Sequence, residues 1–410
     1  MEFIRANIWE IKKSGSLKAL GAILAAFHLL QFYMWSQQGH LPLKLVQQDI
    51  PMCWSLFESC DWIRTIPFGL LSFLYYAYAA VAGLAILCFI FLGGVTSIGY
   101  YLLHIAMWSG MLLYFQDLRI SSNEGYFIFF TTFAFLLVPS KHRLMRWVVA
   151  SFFAARGLSQ ASPDWLTGTW YMEHLALPIK LAEWLAAVSL LVQMIGGAAL
   201  LFRDGRYFWT AWICLFVFEC THLYIGEYYT SGLFLGALLY VALDELELRK
   251  AEREYIYQSF IRPDPSFVLG GTLLAFFWAA QFTPFVGFER NSGVKAVLNT
   301  WALHPEAAHE ECDQRTFAIY KSRVEEIEVQ SETRQPAMMC NTYLRYLDLK
   351  ATCKELKEKS DDFVTLSSAL QVRNLREKSS YRAFEVKDFC ASDLNFKRLG
   401  EVKWTTSLAE

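Results

Sequence analysis

About nine separate apolar stretches, most of them near the ~20 residues that a helix needs to cross a bilayer, fill the first 285 or so residues of this chain. They fall at 17–36, 67–92, 96–115, 125–139, 147–158, 179–202, 207–225, 229–245 and 266–284. Numbering the connections from a cytoplasmic N-terminus puts Arg5, Lys12, Lys13, Lys18, Lys141, Arg143, Arg146, Arg203, Arg206, Arg249, Lys250, Arg253 and Arg262 inside. Only Lys44, Arg64, Arg119, Arg156 and Lys180 then lie on outer connections before the tail. Lys and Arg collect on the cytoplasmic face. The same numbering places Cys53, Cys60, Cys312, Cys340, Cys353 and Cys390 outside, where cysteines can pair, and leaves Cys88, Cys214 and Cys220 in apolar helices. The two rules are independent, and they agree. The expectation is a polytopic α-helical membrane protein of about nine transmembrane helices, with a cytoplasmic N-terminus and an extracytoplasmic tail.

Composition divides the chain in the same place. Of 410 residues, 55% are hydrophobic and 19% charged, but the apolar material lies before residue 286. The expected domains are a transmembrane domain at 1–285 and a cysteine-containing α+β domain at 286–410. A net charge of −2 argues against a nucleic-acid partner. The first apolar stretch is too long for a cleaved signal and lacks a small-residue cleavage site, so it reads as a retained helix. In the tail, Leu344, Leu347 and Ala351 recur at helical spacing, whereas Val324 to Val329 and Tyr381 to Phe389 read as strands. Its four cysteines allow three pairings, among which sequence does not choose. Cys53 and Cys60 bracket a short outer loop and read as a structural disulfide rather than a redox pair.

Polar groups within a bilayer are costly, so each needs a partner or a role. The candidates are His28, His104, Arg156, Asp164, Glu173, His174, Glu183, Glu219 and His222. Glu219 and His222 are three residues apart and share a helix face. They define either an outward-facing polar cavity with an acid–base pair or interhelical hydrogen bonding that holds the bundle together. The polar and aromatic stretch from Gln160 to Pro178 suits a re-entrant segment buried by protein. His304, His309 and Cys312 fit no strong zinc spacing, so no metal is expected. No haem-attachment motif, phosphate loop or nucleophile elbow occurs.

Four segments stand out: the CWSLFESC loop from Cys53 to Cys60 with Arg64; the SNEGY stretch at 122–126; Ala155 to Gly168, with Gly157 and the Asp164–Trp165 pair; and Phe218 to Gly232, with His222 ten residues before the final glycine. Together they resemble the HTTM membrane domain, the family that contains the vitamin K-dependent γ-glutamyl carboxylase. The resemblance implies the nine-helix fold, an outer C-terminal domain and an outward cavity. It also implies where chemistry would sit. In the carboxylase a desolvated lysine amine deprotonates vitamin K hydroquinone. This chain has Gln160 at that place, with Ser159 beside it, and Glu124 where the family has a histidine; only His222 is retained. A neutral amide has no proton-accepting state near pH 7, so the resemblance argues against that reaction.

The sequence therefore points to a non-catalytic protein of a bacterial inner membrane. It would bind a lipid or quinone, or serve as a subunit of an envelope assembly or maturation system alongside other envelope proteins. One rival is a membrane enzyme of altered chemistry using His222, Glu219, Asp164, Glu124 or Gln160. Another is a transporter, which the lack of paired broken helices in two similar halves disfavours.

Overall fold

The computed structural model describes residues 2–47, 54, 65–91, 93–161, 163–202, 204–250, 265–282, 310–329, 340, 342–374 and 380–390, and every structural statement below refers to these. Cys53, Cys60, Arg64, Arg203, Arg253, Arg262, His304 and His309 lie outside them. The chain divides into two compact units. The first comprises Met1–Cys53, Ser59–Leu158 and Ala187–Trp278; the second comprises Trp54–Glu58, Ser159–Ala186 and Ala279–Glu410.

Helices dominate the first unit. They are α1 (Glu2–Lys13), α2 (Gly15–Gln37), α3 (Leu41–Val46), α4 (Phe68–Ile90), α5 (Thr96–Phe115), α6 (Asn123–Leu137) and α7 (Lys141–Ser159). After the short α8 (Pro163–Leu166) and α9 (Thr169–Leu175) come α10 (Ile179–Ala199), α11 (Gly205–Ile225), α12 (Tyr228–Lys250) and α13 (Pro265–Phe282). The stretch at 160–178, expected to be re-entrant, thus contains two short helices. Helix starts carry their own stop signals: Ser14 caps α2, Ser122 caps α6 and Asp204 caps α11, each accepting a backbone N–H that the first turn leaves unpaired.

Five helices are long and apolar enough to cross a membrane: α2, α4, α5, α10 and α11. Their packing supports that reading. On α4, Leu71, Tyr75, Tyr78, Ala82, Ala85 and Phe89 are buried at alternating three- and four-residue spacing. The opposite face is equally apolar, with Phe73 69% and Ile90 58% exposed and Leu84 and Leu87 beside them. On α5, Tyr100, Leu103, Met107 and Gly110 face inward, whereas Ile98, Tyr101, Ile105 and Trp108 face outward. A helix apolar on both faces has no stable place in water and suits lipid. The remaining expected spans fall short for visible reasons. Helix α6 is 15 residues, about 22 Å long. Helix α7 opens with Lys-His-Arg, α12 ends in a charged turn, and the described apolar part of α13 is Val268–Phe282.

Ion pairs and hydrogen bonds join the helices at one end of this unit. Glu247 accepts from the backbone N–H groups of Gly15 (3.1 Å) and Ser16 (2.6 Å) and from the Ser14 hydroxyl (3.0 Å). Buried Asp244 pairs with His142 and Arg146. The fully buried Lys141 donates to Asn7 Oδ1 (2.8 Å) and to the carbonyls of Phe135 and Val138, which the end of α6 would otherwise leave unpaired.

The tail of the second unit holds a four-stranded antiparallel sheet in the order β2-β1-β3-β4. The strands are β1 (Glu310–Tyr320), β2 (Val324–Ile327), β3 (Phe363–Asn374) and β4 (Ser380–Val386), and helix α14 (Thr342–Lys359) packs on the sheet. Leu349 and Cys353 of α14 meet Leu366, Leu370 and Val372 of β3 and Phe384 of β4 in the core. Disulfides join Cys312 to Cys340 and Cys353 to Cys390. Cys312 is therefore a bonded cysteine and not a metal ligand. Strand β1 has no hydrophobic alternation to announce it. Its inward residues are Cys312, Gln314, Thr316 and Ala318, and Thr316 hydrogen-bonds Ser368 of β3 at 2.9 Å.

Candidate functional site

At the other end of the helical unit, four ionisable side chains converge. Helix α7 supplies Arg156 and α11 supplies Glu219 and His222, three residues apart on one face as the spacing requires. The fourth, Glu227, arrives through a turn. Gly226 ends α11 at φ +111°, a conformation that side-chain-bearing residues disfavour. The Glu227 N–H donates to the His222 carbonyl (3.1 Å), and the Glu227 carbonyl accepts from Ser231 (3.1 Å) at the start of α12. The turn thereby folds Glu227 back beside His222.

Arg156 Nη1 donates to both carboxylate oxygens of Glu219, at 2.8 and 3.1 Å. Its Nη2 reaches Glu227 Oε2 at 3.1 Å and lies 3.5 Å from His222 Nδ1. His222 Nδ1 is itself 3.0 Å from Glu227 Oε2. Glu219 and His222 are completely buried, whereas the Glu227 side chain is 20% exposed. Aromatic faces line the cluster: the His222 ring lies 4.3 Å from Phe218, and the guanidinium sits 5.0 Å over Phe234 and 5.7 Å over Phe218. One guanidinium thus contacts both oxygens of one carboxylate and reaches a second carboxylate beside an imidazole. A proton on His222 Nδ1 donates to Glu227; without it, that nitrogen can accept from Arg156. The arrangement can hold one proton between His222 and Glu227, beside a fixed ion pair.

The expected site residues are distributed as follows. Glu219 and His222 lie at the centre. Arg156, counted above among charges on an outer connection, is a buried residue of α7, and that placement is corrected here. Glu124 stands one step away, in the first turn of α6, where it accepts from Thr230 of α12 at 2.6 Å. Asp164 lies on α8 and Gln160 is buried just past the end of α7, both in the second unit. His28 is part of the bundle frame: its nitrogens meet Tyr78 (2.9 Å) and Thr132 (3.1 Å), joining α2, α4 and α6. His104 lies against the Tyr100 ring, His174 stacks on Trp170, and Glu183 is exposed. Glu227 and Thr230 escaped the sequence reading. The available signal was Gly226, a helix-ending residue next to a carboxylate five positions beyond His222. Among the described residues, no group of His, Cys, Asp and Glu is arranged to hold a metal ion.

The chain matches no family profile, no curated protein and no solved structure.

Proposed function

We propose that this chain is a nine-span protein of a bacterial inner membrane, built on an HTTM-like plan, with its N-terminus in the cytoplasm and its tail outside. It binds the polar head of a lipid or quinone at the Arg156–Glu219–His222–Glu227 cluster and carries out no carboxylation. The observation that carries this reading is the cluster itself. Ionisable groups inside an apolar bundle are functional candidates by default, and here Glu227 is the partly exposed member through which a ligand can meet the others. A quinone or lipid head suits a cation, a carboxylate and an imidazole ringed by aromatic faces. The buried amide at Gln160 favours the non-catalytic form, because it has no proton-accepting state for the carboxylase step. The 3.0 Å contact between His222 and Glu227 favours a second reading, an enzyme using that pair as acid and base. A stapled tail domain suits a subunit of an envelope assembly system.

The test is native purification followed by mass spectrometry of extracted small molecules, with Glu227→Gln alongside. A lipid or quinone retained by the wild type and lost from the variant is the expected outcome. Equal recovery from both would overturn the site assignment. In a parallel assay with reduced vitamin K, bicarbonate and a Glu-containing peptide, turnover above a His222→Ala control would overturn the non-catalytic reading.

A further inference from the structure

Helix α1 exposes large apolar side chains beside its basic ones. Its inward face mixes Ile11 with polar groups: Asn7 donates to the Leu136 carbonyl (3.3 Å) and accepts from Lys141 Nζ, and Glu10 accepts from the Lys141 backbone N–H (2.7 Å). Asn7 and Ile11, one turn apart, are both fully buried. The outward face carries Ile4, Arg5, Trp9, Lys12 and Lys13. Trp9 is 60% exposed, and Lys13 Nζ lies 3.7 Å over its ring. A helix on a water-soluble surface normally directs its large apolar residues inward.

The position of α1 accounts for the exposed Ile4 and Trp9. Its partners Leu136 and Lys141 mark where α6 ends and α7 begins, and the Leu136 carbonyl also accepts from Tyr100, near the start of α5. Only Ser14 separates α1 from α2, the first membrane-length helix. The helix therefore lies beside the ends of α5, α6 and α7, where a membrane-spanning bundle would meet the headgroups. A tryptophan with an apolar neighbour and three cations suits that boundary, because the ring sits at headgroup level while basic side chains meet anionic phosphates.

We propose that the Ile4–Arg5–Trp9–Lys12–Lys13 face of α1 is an interfacial docking surface for anionic phospholipid headgroups. The partner is identified by charge complementarity: three basic side chains flank one exposed indole, and no acidic side chain is exposed beside them on the described part of this helix. This surface is separate from the Arg156 cluster, and its test does not depend on the ligand of that cluster.

The test uses the full chain in vesicles of phosphatidylglycerol or phosphatidylcholine carrying brominated acyl chains. The Trp9 contribution is the difference between the fluorescence of the wild type and that of Trp9→Phe. The expected result is quenching of this component in both lipids, with stronger quenching by the brominated phosphatidylglycerol in mixtures. The Arg5→Gln/Lys12→Gln/Lys13→Gln variant should lose that preference, by on the order of fivefold for each cation removed. A Trp9 component that brominated lipid leaves unquenched would show the face covered by protein and overturn the proposal. Equal quenching by the two headgroups in the wild type would also overturn it. Both of these readouts need only the wild type and Trp9→Phe, so poor folding of the triple variant leaves the proposal open to refutation.

Discussion

Arg156 and Glu219, 63 residues apart in sequence, form a buried ion pair in which one guanidinium nitrogen contacts both carboxylate oxygens. Coulomb attraction is strong where water is excluded, but so is the cost of removing each charge from water. The pair is therefore best understood as two charges that must be kept or removed together.

Arg156→Gln or Glu219→Gln alone should destabilise the protein by about 3–5 kcal/mol, because each leaves the other charge buried with less compensation. The double substitution should recover much of that loss. Thermal unfolding in detergent of the wild type, both singles and the double closes the cycle. Additive losses in the double variant would refute the coupling.

Glu247 provides a pH dependence. Burial pushes its carboxyl up, but hydrogen bonds from the backbone and hydroxyl of Ser16, the Ser14 hydroxyl and the Gly15 N–H outweigh burial and hold it below the ordinary carboxylate range. A depressed folded-state value means that this contribution to stability is fully present above the unfolded carboxylate pKa and is lost as pH falls through the folded value. Unfolding midpoints measured from neutral to acidic pH should therefore drop less steeply in Glu247→Gln than in the wild type. Parallel curves would exclude the contribution.

The tail should yield two linked peptide pairs on non-reducing digestion, one containing Cys312 and Cys340 and the other Cys353 and Cys390. Cys353→Ser/Cys390→Ser should cost about 2–5 kcal/mol of tail stability, since Cys353 is also a core residue. Peptide mapping that finds Cys312 joined to Cys353 would contradict the fold.

Gly226→Ala should be destabilising by about 1–2 kcal/mol, since its backbone is left-handed. It should also weaken ligand retention, because the same turn places Glu227. Gly232, inside α12 with open space where a Cβ would project, is the control: Ala there should be neutral or stabilising by about 0.5–1 kcal/mol. Equal losses at both positions would show that the turn geometry is not the cause.

Some of this was legible in the sequence because it rests on local properties. Uninterrupted apolar length marked α2, α4, α5, α10 and α11, and their ends fall within a few residues of the expected ones, since polar residues and caps such as Ser14, Ser122 and Gly226 stop helices where they stand. The Leu344 periodicity marked α14 and the Val324 run marked β2. Three-residue spacing was enough to put Glu219 and His222 on one face. Strand β1 was not legible, because Gln314 and Thr316 point toward the core and hydrogen-bond there, leaving no apolar alternation to read. Three further features belonged to the tertiary structure alone: the choice of Cys312–Cys340 and Cys353–Cys390 among three pairings, the exposure of Trp9 on α1, and the assembly of Arg156 with Glu219 and Glu227. A buried charge or a thiol is defined by a partner many residues away. Which partner it meets depends on how helices and strands pack, and that packing is set by the burial of side chains between them rather than by the chemistry of the groups they bring together.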